Sequence, residues 1–251
     1  MNSSDVAHSF RKYFSIDLAI TPEQLKKVSR IRYNVYCKEL AHESPDNFPD
    51  GLEFDHFDSR SLHCLITHKK SNQAAGCVRL VKTFSEMDEE PLPLEQFCYE
   101  ALHLKSADIL GKDRSQVCEI SRLAVDCAFR RRAGEQRSQV GGWNSLDVSD
   151  SERRTFSLIA EAGFLAAIAM AKLRGREYMF AMMEPALPKV LRRSGIFFEP
   201  AGDLYYYHGL RAPYQCTVSS AEKNLRPNLR ELYYYIYDRF DHYYYQKQNS
   251  A

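Results

Sequence analysis

Charge of one sign is missing from this sequence: 34 Lys and Arg stand against 33 Asp and Glu, a net +1. No global basic field therefore exists to hold a nucleic acid, and none is expected as a partner. Long hydrophobic runs are missing too. The longest, Ala162 to Ala171, falls far short of the roughly 20 residues of a membrane span, and no basic-then-apolar signal segment opens the chain. A cytoplasmic protein is expected. The seven cysteines include no C-x-x-C and no Cys/His pair at zinc spacing, which favours reduced, mostly buried thiols over disulfides or structural zinc. What remains is ordinary globular usage, 44% hydrophobic and 27% charged over 251 residues, enough for one large domain or two small ones.

Residues before Thr21 lack clean periodicity and read as an arm, packed on the body or adjustable as a lid. Thr21-Pro22-Glu23-Gln24 forms a capping box with Pro at the first helical position, and Val28, Ile31 and Val35 continue at helical spacing, which predicts a helix through about Leu40. His42 to Gly51 is a loop. Leu62 to Thr67 and Gly76 to Val81 read as an antiparallel hairpin, with the next strand at Val117 to Val125 and short helices between Glu86 and Asp113. The polar stretch Arg130 to Arg154 is a long inserted loop. The helix that follows, Thr155 to Arg174, is apolar nearly all round and predicts a buried crossover to a strand at Tyr178 to Met183. A helix from Pro185 to Arg193 ends at Gly195, and strands are expected at Ile196 to Glu199 and Leu204 to His208. In the Tyr-rich segment Asn228 to Tyr245, Leu229, Leu232, Tyr233, Ile236 and Phe240 fall at helical spacing. The architecture is mixed α/β: an arm over residues 1–20, a main domain over 21–216 and a helical tail over 217–251.

Several constellations can carry chemistry. Glu53, Asp55 and Asp58 form an E-x-D-x-x-D cluster whose mutual repulsion requires a cation. With no His or Cys at metal spacing beside it, an amine substrate or an Arg is preferred to a metal. Arg79 lies inside the apolar strand Gly76-Cys77-Val78-Arg79-Leu80, where its charge needs an acid such as Asp55, Asp58 or Glu119. In Cys118 to Val125, strict alternation puts Glu119 and Ser121 on one face and Arg122 on the other. Arg130-Arg131-Arg132-Ala133-Gly134 comes next. It is either a solvated basic run or a turn whose side chains and N–H groups hold a phosphate.

These pieces, in this order, resemble the GNAT superfamily of acyltransferases. Its central strand, phosphate turn and helix match Glu119 to Val125, the Arg-rich turn and Thr155 to Arg174. Arg131-x-x-Gly134 fits the turn R-x-x-G-x-G/A, while Gln136 stands where a small residue is usual. The chain resembles acyl-homoserine-lactone synthases more closely. Their R-x-x-V-[FY], E-x-D-x-x-D, G-x-x-R-L and E-x-S-R motifs recur here as Arg32 to Tyr36, Glu53 to Asp58, Gly76 to Leu80 and Glu119 to Arg122. The C-terminal half departs from them: Met183-Glu184-Pro185, Leu191 to Gly195 and Tyr207-His208-Gly209-x-Arg211-x-Pro213 look like the acyltransferases of PEP-CTERM/exosortase systems, relatives of the long-chain N-acyl amino acid synthases.

The resemblance implies a GNAT fold, with a mostly antiparallel mixed sheet flanked by helices. It also implies transfer of a fatty acyl group from an acyl thioester, on acyl carrier protein ahead of coenzyme A, to the primary amine of an amino acid or related small amine. No permanently bound cofactor is implied. Glu119 is the candidate general base, with Ser121 and Arg122 beside it. Arg32, Tyr36, Glu53, Asp55, Asp58 and Arg79 would shape the amine site, and Arg130, Arg131, Arg132 and Gly134 would take the carrier or its phosphopantetheine. Three alternatives are an S-adenosylmethionine-dependent lactone synthase, a non-catalytic acyl-thioester sensor and a small-molecule acetyltransferase using acetyl-coenzyme A.

Overall fold

Thr21 caps the helix that organises the N-terminal half. Its hydroxyl accepts from the Gln24 N–H while the Gln24 side chain accepts from the Thr21 N–H, as the capping box predicts. The computed structural model describes residues 3–83, 90–112, 114–130 and 148–248. Its elements in order are α1 (Ser3–Tyr13), β1 (Phe14–Leu18), α2 (Pro22–Arg32), β2 (Ser61–His68), β3 (Gln73–Lys82), α3 (Pro93–Cys98), α4 (Leu104–Lys112), β4 (Val117–Val125), α5 (Asp150–Arg153), α6 (Leu158–Leu173), β5 (Tyr178–Met183), α7 (Leu187–Arg192), β6 (Glu199–Pro200), β7 (Tyr205–Tyr206), β8 (Leu210–Thr217), α8 (Val218–Asn224) and α9 (Pro227–Gln248).

The sheet runs β1-β2-β3-β4-β5-β8-β6, with β7 paired to β8. Neighbours are antiparallel except β4 and β5, which are parallel and pair only from Val117–Tyr178 to Glu119–Phe180. Beyond Glu119 the two strands part, and β5 continues against β8 alone. α6 covers one face, packing Ile159, Leu165 and Ile168 into a core with Val78, Leu80, Cys118 and Ile120. α2 covers part of the other, where Val28, Ile31 and Val35 meet Leu65, Cys77 and Ala124. Gly76 and Gly163 let α6 sit this close: a Cβ on Gly76 would stand 2.8 Å from Ile159, and one on Gly163 would stand 2.6 Å from Leu123.

The expected hairpin, the strand Val117–Val125, the buried crossover helix and the strand Tyr178–Met183 are all present. So is the C-terminal helix, with Leu229, Leu232, Tyr233, Ile236 and Phe240 buried. Other expectations need correction. Of the two readings of the segment before Thr21, its described residues follow the one that packs on the body, and they add a strand that the sequence does not announce: β1 pairs along β2, and Phe10, Phe14 and Ile16 are fully buried. The helix expected through Leu40 is α-helical only to Arg32 and widens into a π-helix over Tyr33–Glu39, closed by the bond from the Leu40 N–H to the Val35 carbonyl. Ser149 caps the four-residue α5 inside what reads as loop. Ile196 to Phe198 lie outside the strand, which begins at Glu199. The eight-residue β8 escapes a reading by alternation because Pro213 interrupts it; a Pro in a run argues against a strand.

Candidate active site

The parting of β4 from β5 leaves the sheet open beside Glu119, and what lines the opening follows from one irregularity in β4. Arg79 faces Ser121 and Cys77 faces Ala124, so two residues of β4, Arg122 and Leu123, stand opposite Val78. Arg122 takes a left-handed φ of 51°, and the extra residue inverts the alternation. Before it, Cys118 and Ile120 face α6; after it, Leu123 and Val125 do, while Ala124 faces α2. Strict alternation therefore misassigns Arg122: the bulge turns it onto the face that carries Glu119 and Ser121. A non-glycine residue in this region is strained, and such strain gathers at functional sites. Tyr36 holds the bulge, its hydroxyl donating to the Leu123 carbonyl at 2.8 Å, while the Arg122 guanidinium lies 5.3 Å over the Tyr36 ring. Burial pushes the Tyr36 phenol up to about 12, so it stays a donor.

On this face three guanidinium groups meet the E-x-D-x-x-D segment. Arg32 bonds Glu53 through Nε and reaches Asp58 through Nη1 at 2.7 Å. Arg79 Nη1 lies 2.5 Å from Asp55 and 2.8 Å from Asp58, while its Nε donates to Ser121 Oγ at 3.0 Å. Arg122 lies 3.1 Å from Glu53, 3.3 Å from Asp55 and 3.4 Å from Glu43. Arg32, Glu53 and Arg79 are each only 1% exposed, a burial that charges tolerate only when paired. Burial would push the Asp58 carboxyl up; Arg32 and Arg79 outweigh it and hold it well below the usual range. Asp55 and Asp58 cap their own short 3-10 turn, which fixes both carboxylates toward Arg79. The cation the cluster requires is thus arginine, and Arg79 is answered by Asp55 and Asp58 rather than Glu119.

Glu119 stands apart from this pairing. It is buried, its Oε2 accepts a 2.8 Å bond from the Leu94 N–H, and burial pushes its carboxyl up to about 8 against the pull of that bond and of Arg79. A carboxyl with a raised pKa beside a gap in a sheet is suited to take a proton near neutral pH.

The C-terminal half closes over the opening. The turn between β7 and β8 carries two left-handed residues, His208 (φ 50°) and Gly209 (φ 101°). It stacks His208 on His42 at 5.1 Å and places Tyr207 against Phe97 at 5.5 Å. The Tyr207 phenol is raised to about 12, first by burial, and it feels the charges of Arg122, Glu43 and Glu119. His42, Glu43, Tyr207 and His208 were not among the candidates read from sequence. The available signal for Tyr207 and His208 is the Tyr207-His208-Gly209-x-Arg211 motif, which marks a branch without assigning roles; His42 and Glu43 lie in the loop His42 to Gly51 and carry no such signal.

Arg130 bonds Glu39 and lines a groove of about 840 Å³ with Lys27, Arg30, Lys38 and Asp126, at the end of β4. Arg131, Arg132 and Gly134 lie outside the described residues. Among the described residues no group of His, Cys, Asp and Glu is placed to hold a metal ion, and no helix is long and apolar enough to cross a membrane. Cys127 is exposed and the other cysteines are buried.

A central strand that parts from its parallel neighbour, backed by a crossover helix, is the arrangement of the GNAT fold. Residues 31–138 match the acetyltransferase (GNAT) domain family. Solved structures share the fold. The AHL synthase LasI aligns at a TM-score of 0.54 and 14% identity over 85% of this chain and 97% of its own. FeeM, an N-acyl amino acid synthase from uncultured soil microbes, aligns at 0.55 and 12% over 87% and 97%. BjaI, a CoA-dependent acyl-homoserine lactone synthase solved with SAM and isopentyl-CoA, aligns at 0.57 and 15% over 89% of each chain. No curated protein matches the sequence.

Proposed function

We propose that this chain transfers a fatty acyl group from a thioester to the primary amine of an amino acid or related small amine, with Glu119 as general base. The observation that carries the reading is the Glu119 carboxyl, raised to about 8 by burial where β4 and β5 part. The amine must lose a proton to attack. Its nitrogen forms a bond to the thioester carbonyl carbon, Glu119 takes the proton that nitrogen then sheds, the carbon–sulfur bond breaks, and the departing thiolate takes that proton from Glu119 to leave as the thiol. Backbone N–H groups freed of a β5 partner after Glu119 would stabilise the developing oxyanion. Ser121, Arg79, Arg32 and the carboxylates they bind position the bulge rather than react. Glu53, Asp55 and Asp58 are occupied by arginines, which supports a scaffolding role for them.

The donor is read as acyl carrier protein, held through the basic groove of Lys27, Arg30, Lys38 and Arg130 and the adjacent Arg131, Arg132 and Gly134. Its acidic surface would meet these cations, and turnover would weaken with salt. Coenzyme A is the competing donor. The exosortase association rests on the C-terminal motifs alone.

Mass spectrometry of lipid extracts from bacteria expressing the wild-type chain and Glu119→Gln tests the reading. N-acyl amino acids present with wild type and lost in the variant are expected. An acyl-homoserine lactone instead would establish the S-adenosylmethionine-dependent reaction. No product, together with retained binding of an acyl thioester, would establish a sensor.

A further inference from the structure

Four arginines gather around the opening, and three of them are neutralised. Arg32 is held by Glu53 and Asp58, Arg79 by Asp55 and Asp58, and Arg122 by Glu43, Glu53 and Asp55. The side chain of the fourth, Arg211, makes no hydrogen bond or ion pair among the described residues, and its Nε is buried without a partner. Arg211 is the second residue of β8, one beyond Leu210 after the left-handed pair His208 and Gly209, and lies opposite Tyr205. β8 runs beside the part of β5 that has left β4, as far as the Met183–Ala212 pair, so Arg211 stands at the open end of the sheet. Burial and then the Arg211 charge hold His42 below its usual range, and the same charge reaches His208, Tyr36 and Cys98. Tyr36 holds the β4 bulge, and Cys98 feels Glu119. An arginine left unanswered at the open end of the sheet, in a protein that answers its other site arginines with carboxylates, is a place for an anion from outside the chain.

We propose that Arg211 binds the carboxylate of the acceptor, so that the acceptor is an amine that itself carries a carboxylate, delivered with its nitrogen toward Glu119. The inference rests on the acyl-transfer reading and narrows it. The planar fork of guanidinium donors fits a carboxylate in two parallel bonds, and neutralisation of Arg211 by the acceptor would favour its bound form. The His42–His208 stack, which both the Arg211 charge and burial keep neutral, forms the adjoining wall without competing for the anion.

The test uses the purified full chain with acyl-coenzyme A and acyl carrier protein thioesters, reading free thiol release with amino acids and with their methyl esters. Wild type is expected to prefer the free carboxylate. Arg211→Gln should raise KM for the amino acid about ten- to a hundredfold, the loss of one charge-assisted contact. It should leave kcat and KM for the methyl ester near wild type, and Arg211→Lys should recover part of the loss. An unchanged preference in Arg211→Gln would overturn the assignment. The thermal midpoint of each protein is also measured with amino acids or their methyl esters and no thioester. A carboxylate-dependent rise present in wild type and lost in Arg211→Gln keeps the anion site even if no thiol is released, in which case the transfer reading fails alone. Failure of both the preference and the rise in wild type removes the Arg211 site.

Discussion

On one side of the sheet, α6 lays Ile159, Leu165 and Ile168 against Val78, Leu80, Cys118 and Ile120; on the other, Arg32, Arg79 and Arg122 meet Glu53, Asp55 and Asp58. The two faces share strands and are comparably buried, yet they are held by different physics. Apolar burial is non-directional and scales with area. A buried ion pair adds little net stability over an apolar replacement, but removing one partner is severe because the other charge is stranded. The apolar face therefore sets how firmly the sheet holds, and the charged face sets where the bulge, Tyr36 and Glu119 stand.

The sharpest way to separate the faces is Glu119→Gln, expected to lower turnover about 10²- to 10⁴-fold, the usual range for a lost general base. In wild type the rate should rise with pH as a carboxyl near 8 ionises. The stability has the opposite slope. The folded carboxyl keeps its proton above the pH at which the unfolded one releases it, so stability is full below the ordinary carboxylate range, falls as pH rises toward about 8, and then levels. Urea unfolding at several pH values should show that slope in wild type and its loss in Glu119→Gln. Next in size is Arg79→Ala, which removes the arginine shared by Asp55 and Asp58 and leaves Asp55 only the 3.3 Å contact to Arg122; breaking a buried pair should cost about 3–5 kcal/mol together with activity, and full activity with unchanged urea stability would dismantle the idea of a paired-charge face. On the apolar side, Gly76→Val drives a side chain into Ile159 and the Ala124 carbonyl and should cost about 1–3 kcal/mol by overpacking, lowering thermal stability more than KM. The smallest effect is Tyr36→Phe. It removes the 2.8 Å bond to Leu123 for about 1 kcal/mol, and because that bond fixes the bulge, kcat should fall further than stability does.

The apolar face was the legible one. Alternation and helical spacing are properties of single segments, so the hairpin, β4, α6, β5 and the inward residues of α9 could all be read from residue order. Charged residues at the site could be named, but not paired: which arginine answers Asp55 or Asp58 depends on the three-dimensional meeting of α2, the 3-10 turn and β3. Arg122 was placed on the wrong face because one residue at φ 51° reverses a period that carries no marker in the sequence. β8 was hidden by Pro213, and with it the position of Arg211. β1 was missed because the five residues Phe14–Leu18 are too few for a periodic signal beside the helix that precedes them.

The pairing of β1 also has a consequence for the order of assembly. Arg239, on α9, donates to the Ile16 carbonyl at 2.9 Å and to Asp17 at 2.7 Å, across 223 and 222 residues of chain. α9 packs on both α1 and β1. The outermost strand therefore gains this cover only once the 222 residues from Asp17 to Arg239 have been synthesised, and closures of such span slow folding. Until then Phe10, Phe14 and Ile16 lack their final covering helix, so truncation ahead of Arg239 should leave a chain whose sheet is largely specified and whose first edge is open to association with other strands.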